Sequence, residues 1–112
     1  MKKIKNINEN LEMNLKVYNL ITKVPPGKVT TYGELARSIG KFKSSRVIGK
    51  ILNKNPFPIN IPCHRVVLSN GKIGGYYYGA EIKRRILEKE GIKISKGGEI
   101  QDFYSLKKKL IE

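Results

Sequence analysis

The chain has 112 residues, 39% of them hydrophobic, and carries a formal net charge of +14. That length allows one domain with a modest core. A single cysteine excludes an intrachain disulfide, and one cysteine with one histidine cannot build a structural zinc site of the Cys/His type. No apolar run follows the basic start Met1–Lys5, so neither a signal peptide nor a membrane span is expected and the sequence reads as cytoplasmic. Charge is uneven: residues 1–24 carry five basic and two acidic side chains, residues 25–65 eight and one, and residues 66–112 ten and six. The one-sided middle segment favours a polyanionic partner, most simply nucleic acid.

Residues 1–10 read as a flexible polar leader. Apolar residues at 11, 13, 15, 17, 18, 20 and 21 predict a helix from Leu11 to Thr22 with a broad apolar face and Asn10 as N-cap. Pro25-Pro26-Gly27 stops it. Val29-Thr30-Thr31 is β-prone, and Thr31 can cap a second helix, Tyr32 to Ser38, with Glu34 at the capping-box position and Gly40 beyond its end. After the basic Lys41-Phe42-Lys43 turn, Ser44 or Ser45 can cap a third helix through Leu52, with Val47, Ile48, Ile51 and Leu52 inward. Two short helices joined this way predict a helix-turn-helix within a mainly α, winged-helix-like domain with short β elements. The outward side of the third helix offers Ser45, Arg46, Gly49, Lys50 and Asn53 to DNA, with Lys43 beside them.

Asn53 to Pro58 reads as a loop stiffened by proline. Ile59 to Leu68 is strand-like but interrupted by Pro62. Ser69 to Lys72 is a turn, and Ile73 to Gly79 a glycine-framed tyrosine loop. Glu81 to Glu90 predicts a helix with Ile82, Ile86 and Leu87 inward and Gly91 as its stop. A short Ile92-Lys93-Ile94 strand and a last helix from Asp102, burying Phe103, Leu106 and Leu110, complete the chain, which is expected to be one domain over 1–112.

Chemistry concentrates at Ile61-Pro62-Cys63-His64-Arg65-Val66-Val67, where the only cysteine and only histidine are adjacent. A thiol attacks as the thiolate, a minor species of an ordinary cysteine at neutral pH. A neighbouring base and positive surroundings raise that fraction.

Pro62-Cys63-His64-Arg65-Val66-Val67 resembles the active-site signature of the O6-alkylguanine-DNA alkyltransferases. Val29 to Ala36, Arg46 followed by Gly49, Asn55-Pro56, the Gly75-Tyr76 loop and Leu87-Glu88-Lys89-Glu90-Gly91 fall in the family's order. The resemblance covers roughly residues 11–100 and is to the family's C-terminal, catalytic domain; the additional N-terminal domain of many members is expected to be absent. It implies repair by single-turnover transfer of an alkyl group from O6-alkylguanine in double-stranded DNA to Cys63 after base flipping. It also implies that no cofactor or metal is used and that the protein is a monomer.

By the same resemblance, Arg46 would fill the gap left by the extruded nucleotide and Tyr32 would assist rotation and donate to the guanine. His64 would act as base, oriented by Glu90. Asn55 would brace the loop before Cys63, and Val66, Tyr76, Tyr77 and Tyr78 would form the substrate pocket. Backbone groups of Cys63, Val66 and Tyr77 would read the guanine edge. Neighbouring side chains on a strand diverge, so a water is expected between Cys63 and His64. Tyr77 and Tyr78 depart from the small residues usual there and predict poor handling of bulky adducts. Two other readings stand beside this one. A non-repairing alkyltransferase-like lesion binder resembles the fold but lacks the cysteine. A winged-helix regulator would bind specific sequences independently of alkylation and survive Cys63→Ala.

Overall fold

The computed structural model describes residues 2–40, 45–57 and 60–110. Helix α1 spans Lys2–Thr22 and ends at the Pro25-Pro26-Gly27 turn, where Lys28 N–H donates to the Pro25 carbonyl. The helix expected from Leu11 therefore begins at Lys2, the supposed leader is helical, and Asn10 is no N-cap. No glycine or proline between residues 2 and 22 interrupts the backbone ladder. Its buried stripe is narrower than expected: Val17, Tyr18, Leu20 and Ile21 are buried, whereas Leu11 and Leu15 are more than half exposed.

Strand β1 (Thr30–Thr31) leads directly into helix α2 (Tyr32–Ser38). The Thr31 hydroxyl accepts from the Glu34 N–H at 3.0 Å, which fixes the helix start. Helix α3 (Ser45–Asn53) buries Ile48, Ile51 and Leu52, one face at i, i+3 and i+4. Val47, expected inward, lies one step around that face and is 38% exposed. Helices α2 and α3 pack on each other as the helix-turn-helix pair.

The run from Ile59 to Leu68, expected as an interrupted strand, is different; Ile59 itself lies outside the described residues. Pro62 has no N–H and its φ is −79°, and from it the chain winds into one 3-10 turn, Cys63–Arg65. Only Val66–Val67 is extended, as strand β2, pairing in parallel with β1 in the register Thr30↔Val66, Thr31↔Val67. Alternation along β2 places Val66 in a core with α1, α2 and α3, and Val67 in a second with Val29, Ile73, Leu87, Ile92, Ile100 and Phe103. Each fully buried Ile or Leu in these cores contributes roughly 1.5–3 kcal/mol.

Helix α4 (Ala80–Lys89) buries Lys83 and Leu87, with Ile86 half-buried, while Ile82, expected inward, is 42% exposed. Leu87 is inward as expected and Ile86 partly so, whereas Lys83 takes the place expected for Ile82. Gly91, at φ +94°, ends α4 in the left-handed region that glycine tolerates best. The expected Ile92–Ile94 strand is reduced to an antiparallel bridge between Ile94 and Ile100. The last helix, α5 (Phe103–Leu106), is four residues long and buries Phe103; Leu110 lies beyond it, partly buried against the first core. The C-terminal segment returns to β1. Val29 N–H donates to Leu106 O, Lys108 N–H donates to Val29 O, and Leu110 N–H donates to a Glu34 carboxylate oxygen at 2.9 Å. No described helix is long and apolar enough to cross a membrane.

Candidate active site

Cys63 opens the 3-10 turn that α3 and the following loop feed, and it is 4% exposed. Above it lies a cavity of about 290 Å³ lined by Tyr32, Gly49, Leu52, Cys63, Tyr76 and Tyr77, among others. The cavity is bounded on one side by α3 and on the other by the tyrosine loop. A Cβ added at Gly49 would meet nothing within 4 Å, so the protein's own packing does not require glycine there. The open space lies beside the cavity.

Asn55 ties the loop to the sulfur. Its Nδ2 donates to the Ile61 carbonyl at 2.8 Å and to Cys63 Sγ at 3.3 Å, and its Oδ1 accepts from the Phe57 N–H at 2.8 Å. The 3-10 turn also changes the relation between Cys63 and His64, which are not alternating strand residues. His64 is buried, and its Nε2 meets Glu90 Oε2 at 2.9 Å. A carboxylate only accepts, so Nε2 carries the proton and Nδ1 holds the lone pair. Arg65 donates to both Glu90 oxygens, at 3.0 and 2.7 Å, and to the Val24 carbonyl, which anchors the carboxylate.

The charges follow from these contacts. Burial lowers the His64 pKa from 6.5, outweighing the opposing effect of Glu90, so the imidazole is neutral at neutral pH. Burial alone would raise Glu90, but hydrogen bonds from Arg65 and His64 and their charges hold its carboxyl below the ordinary value. Burial first and the nearby Cys63 second raise the hydroxyls of Tyr18 and Tyr32, and push Tyr76 up to about 12, with Tyr78 adding to the last.

Of the other residues singled out from the sequence, Tyr32, Gly49, Tyr76 and Tyr77 line the cavity with Cys63. Tyr78 stands behind it, edge-on to Tyr77 at 4.8 Å and to Tyr76 at 5.6 Å between ring centroids. Val66 is buried in the core instead, its carbonyl accepting from Lys83. Exposed Arg46 shares a separate shallow depression with Tyr32, Leu68 and Ser69, so Tyr32 borders both hollows. Lys50 is exposed on the α1 side of α3, in a groove with Met13 and Asn14. Ser45 begins α3, and Lys43 lies outside the described residues. Among the described residues no three His, Cys, Asp or Glu side chains group to hold a metal ion.

Sequence reasoning missed Lys83. Fully buried, its ammonium donates to the Val66 carbonyl at 2.6 Å and the Gly75 carbonyl at 2.9 Å, and lies 6.0 Å from the centre of the Tyr32 ring. Burial lowers its pKa to about 8, opposed by the proximity of Cys63. It joins β2 to the tyrosine loop beneath the cavity. The available signal was its spacing: Lys83 precedes Leu87 by four and Glu90 by seven, hence shares their face of α4.

Residues 12–92 match the family described as "6-O-methylguanine DNA methyltransferase, DNA binding domain". A methylated-DNA–protein-cysteine methyltransferase of Methanosarcina acetivorans is 45% identical over 83 residues, covering 74% of this chain and 53% of that protein. The crystal structure of an O6-methylguanine-DNA methyltransferase from Pyrococcus kodakaraensis is similar with a TM-score of 0.63 and 47% identity, over 70% of this chain and 45% of that one. S. pombe Atl1, solved in complex with damaged DNA containing O6-carboxymethylguanine, is similar with a TM-score of 0.72 and 32% identity, over 88% of this chain and 95% of that one. The chain spans about half the length of the curated methyltransferases it matches.

Proposed function

The chain belongs to the 6-O-methylguanine DNA methyltransferase DNA-binding-domain family, and from that premise we propose that it repairs O6-alkylguanine in duplex DNA by one irreversible transfer of the alkyl group to Cys63. The observation that carries this reading is the place of the sulfur. It lies beneath a cavity next to the second helix of a helix-turn-helix, hydrogen-bonded by Asn55, one residue from a histidine whose Nε2 is held by a carboxylate.

On this reading α3 lies against the duplex and Arg46 occupies the place of the extruded nucleotide, at a cost of a few kcal/mol for flipping. The thiol loses its proton through a water to His64 Nδ1. The sulfur attacks the alkyl carbon, the carbon–O6 bond breaks, and the electron pair stays with the guanine, to which the Tyr32 hydroxyl donates a hydrogen bond as charge develops. The imidazolium is stabilised by Glu90. The product is a thioether, whose carbon–sulfur bond is not opened by water or by thiol exchange, so the thiol is not regenerated. The catalytic part corresponds to the C-terminal domain of two-domain relatives, and the protein acts as a monomer on DNA.

Incubation with an O6-methylguanine duplex should add about 14 Da to the Cys63 peptide at one equivalent, and unmodified guanine should appear in the DNA. Turnover beyond one equivalent, or an unchanged mass, would refute the proposal. The structural similarity to S. pombe Atl1, which was solved bound to damaged DNA, supports a second reading, lesion binding without transfer. It predicts tight binding to the O6-methylguanine duplex with the thiol left free.

A further inference from the structure

Two buried polar atoms at the site have no hydrogen-bond partner among the described residues: His64 Nδ1 and the Tyr76 hydroxyl. Their rings adjoin edge to face, with centroids 6.5 Å apart and planes at 81°. The Tyr76 ring lines the cavity, but its hydroxyl is turned away from solvent, and its charge state is sensitive to Cys63. An unpaired buried polar group costs about 1–3 kcal/mol, so two on adjoining rings call for a shared partner. The chemistry of the two is complementary: Nδ1 can only accept while Glu90 holds Nε2–H, and a phenol both donates and accepts.

We propose that Tyr76 is a positioning residue for the thiol, its hydroxyl joining His64 Nδ1 and Cys63 Sγ around a single water through which the proton leaves the sulfur. This rests on the proposed role of Cys63 as nucleophile. The water donates one proton to His64 Nδ1 and takes one from Sγ, so its own composition is unchanged. The phenol supplies a fixed third contact that aims the water. The other groups around the sulfur are Tyr18 from α1, Tyr32 from α2, Asn55 from the preceding loop, Lys83 from α4 and, behind Tyr76, Tyr78. Arg65 and Glu90 act through His64. None of these carries a buried hydroxyl without a hydrogen-bond partner among the described residues.

The test is Tyr76→Phe, which keeps the ring that lines the cavity and removes only the oxygen. Two rates are read across pH: carbamidomethylation of Cys63 by iodoacetamide, which needs no DNA, and single-turnover transfer from an O6-methylguanine duplex. The expected result is that the half-maximal pH of carbamidomethylation moves upward and that transfer at neutral pH falls about tenfold. In a His64→Gln background the same substitution should change carbamidomethylation less than twofold, because the shared water has already lost its acceptor. That double variant also separates a relay from a general packing defect. Carbamidomethylation profiles that superimpose for wild type and Tyr76→Phe would overturn the proposal. If wild type transfers no methyl group while its carbamidomethylation profile still depends on Tyr76, the substrate assignment fails and the relay stands.

Discussion

The Asn55 amide nitrogen bonds both the Ile61 carbonyl and the Cys63 sulfur, at 2.8 and 3.3 Å, so one side chain sets the loop and the nucleophile together. Asn55→Ala removes both bonds and the one from Phe57 N–H. Net losses of about 1 kcal/mol per bond predict a destabilisation of roughly 1–3 kcal/mol, measured by urea unfolding. The methyl-transfer rate should fall even below the temperature at which the variant begins to unfold. Wild-type stability with a wild-type rate would remove Asn55 from the site.

Glu90→Gln replaces an acceptor-only group by one whose amide can donate to His64 Nε2. That lets the ring carry its proton on Nδ1 and reverses the polarity of the relay. It also strips Arg65, 13% exposed at its side chain, of its carboxylate. Transfer should drop about a hundredfold, with a visible loss of stability, and nitrogen chemical shifts of the His64 ring should report the tautomer. An unchanged ring spectrum with full activity would contradict the geometry.

Stability should fall on acidification in two overlapping ranges. His64 has a folded pKa below 6.5, so the unfolded chain takes up its proton first and stability declines as pH drops below about 6.5. Glu90 is likewise depressed below 4.5; its contribution is whole above that value and is lost as pH falls through the folded one. At the alkaline end Lys83, lowered to about 8, has the same sign, so its titration adds stability between about 8 and 10.5. Melting temperatures from about pH 2 to 11 check all three signs, and Glu90→Gln should flatten the carboxylate range.

Arg46→Ala tests the DNA face without touching the cores. The side chain is exposed on α3, so folding stability should change by less than about 0.5 kcal/mol. Transfer from duplex should fall at least tenfold while iodoacetamide still reaches Cys63 at the wild-type rate, since only the duplex substrate requires flipping. Equal losses in both assays would place Arg46 in the fold instead.

Tyr77, 64% exposed, lines the cavity, and Tyr78, 51% exposed, braces it edge-on from behind. Converting them to Ser and Gly should accelerate reaction with a benzylguanine probe about tenfold or more and leave the methyl adduct nearly unaffected. Fast benzyl transfer by the wild-type protein would show that the rings do not restrict the adduct.

Patterns confined to one element were legible. Thr31 followed by Glu34 marked the start of α2, and Pro25-Pro26-Gly27 and Gly91 marked the ends of α1 and α4. The Cys63–His64 pair stood out in the sequence itself, Asn55 and Glu90 followed from the family resemblance, and the structure brings the four together. What failed depended on contacts between elements. Val47, Ile82, Leu11 and Leu15 are apolar and at plausible spacing, but which side of a helix meets a neighbour is decided by the neighbour. Lys83 was passed over because a lysine is rarely buried; two carbonyls from separate elements make its burial possible. The 3-10 turn at Cys63 was hidden because its residues suit a strand, and only the missing N–H of Pro62 hinted otherwise.

The match to the family model stops at residue 92, yet the chain's last stretch is fastened to the heart of the molecule: it bonds both backbone groups of Val29 and one carboxylate oxygen of Glu34. Val29 and Glu34 flank Tyr32, the side chain that borders both hollows. Trimming the polypeptide to the matched portion would remove those hydrogen bonds and loosen the backbone on either side of the tyrosine proposed to meet the lesion, so this buckle beyond the matched region belongs to the working fold.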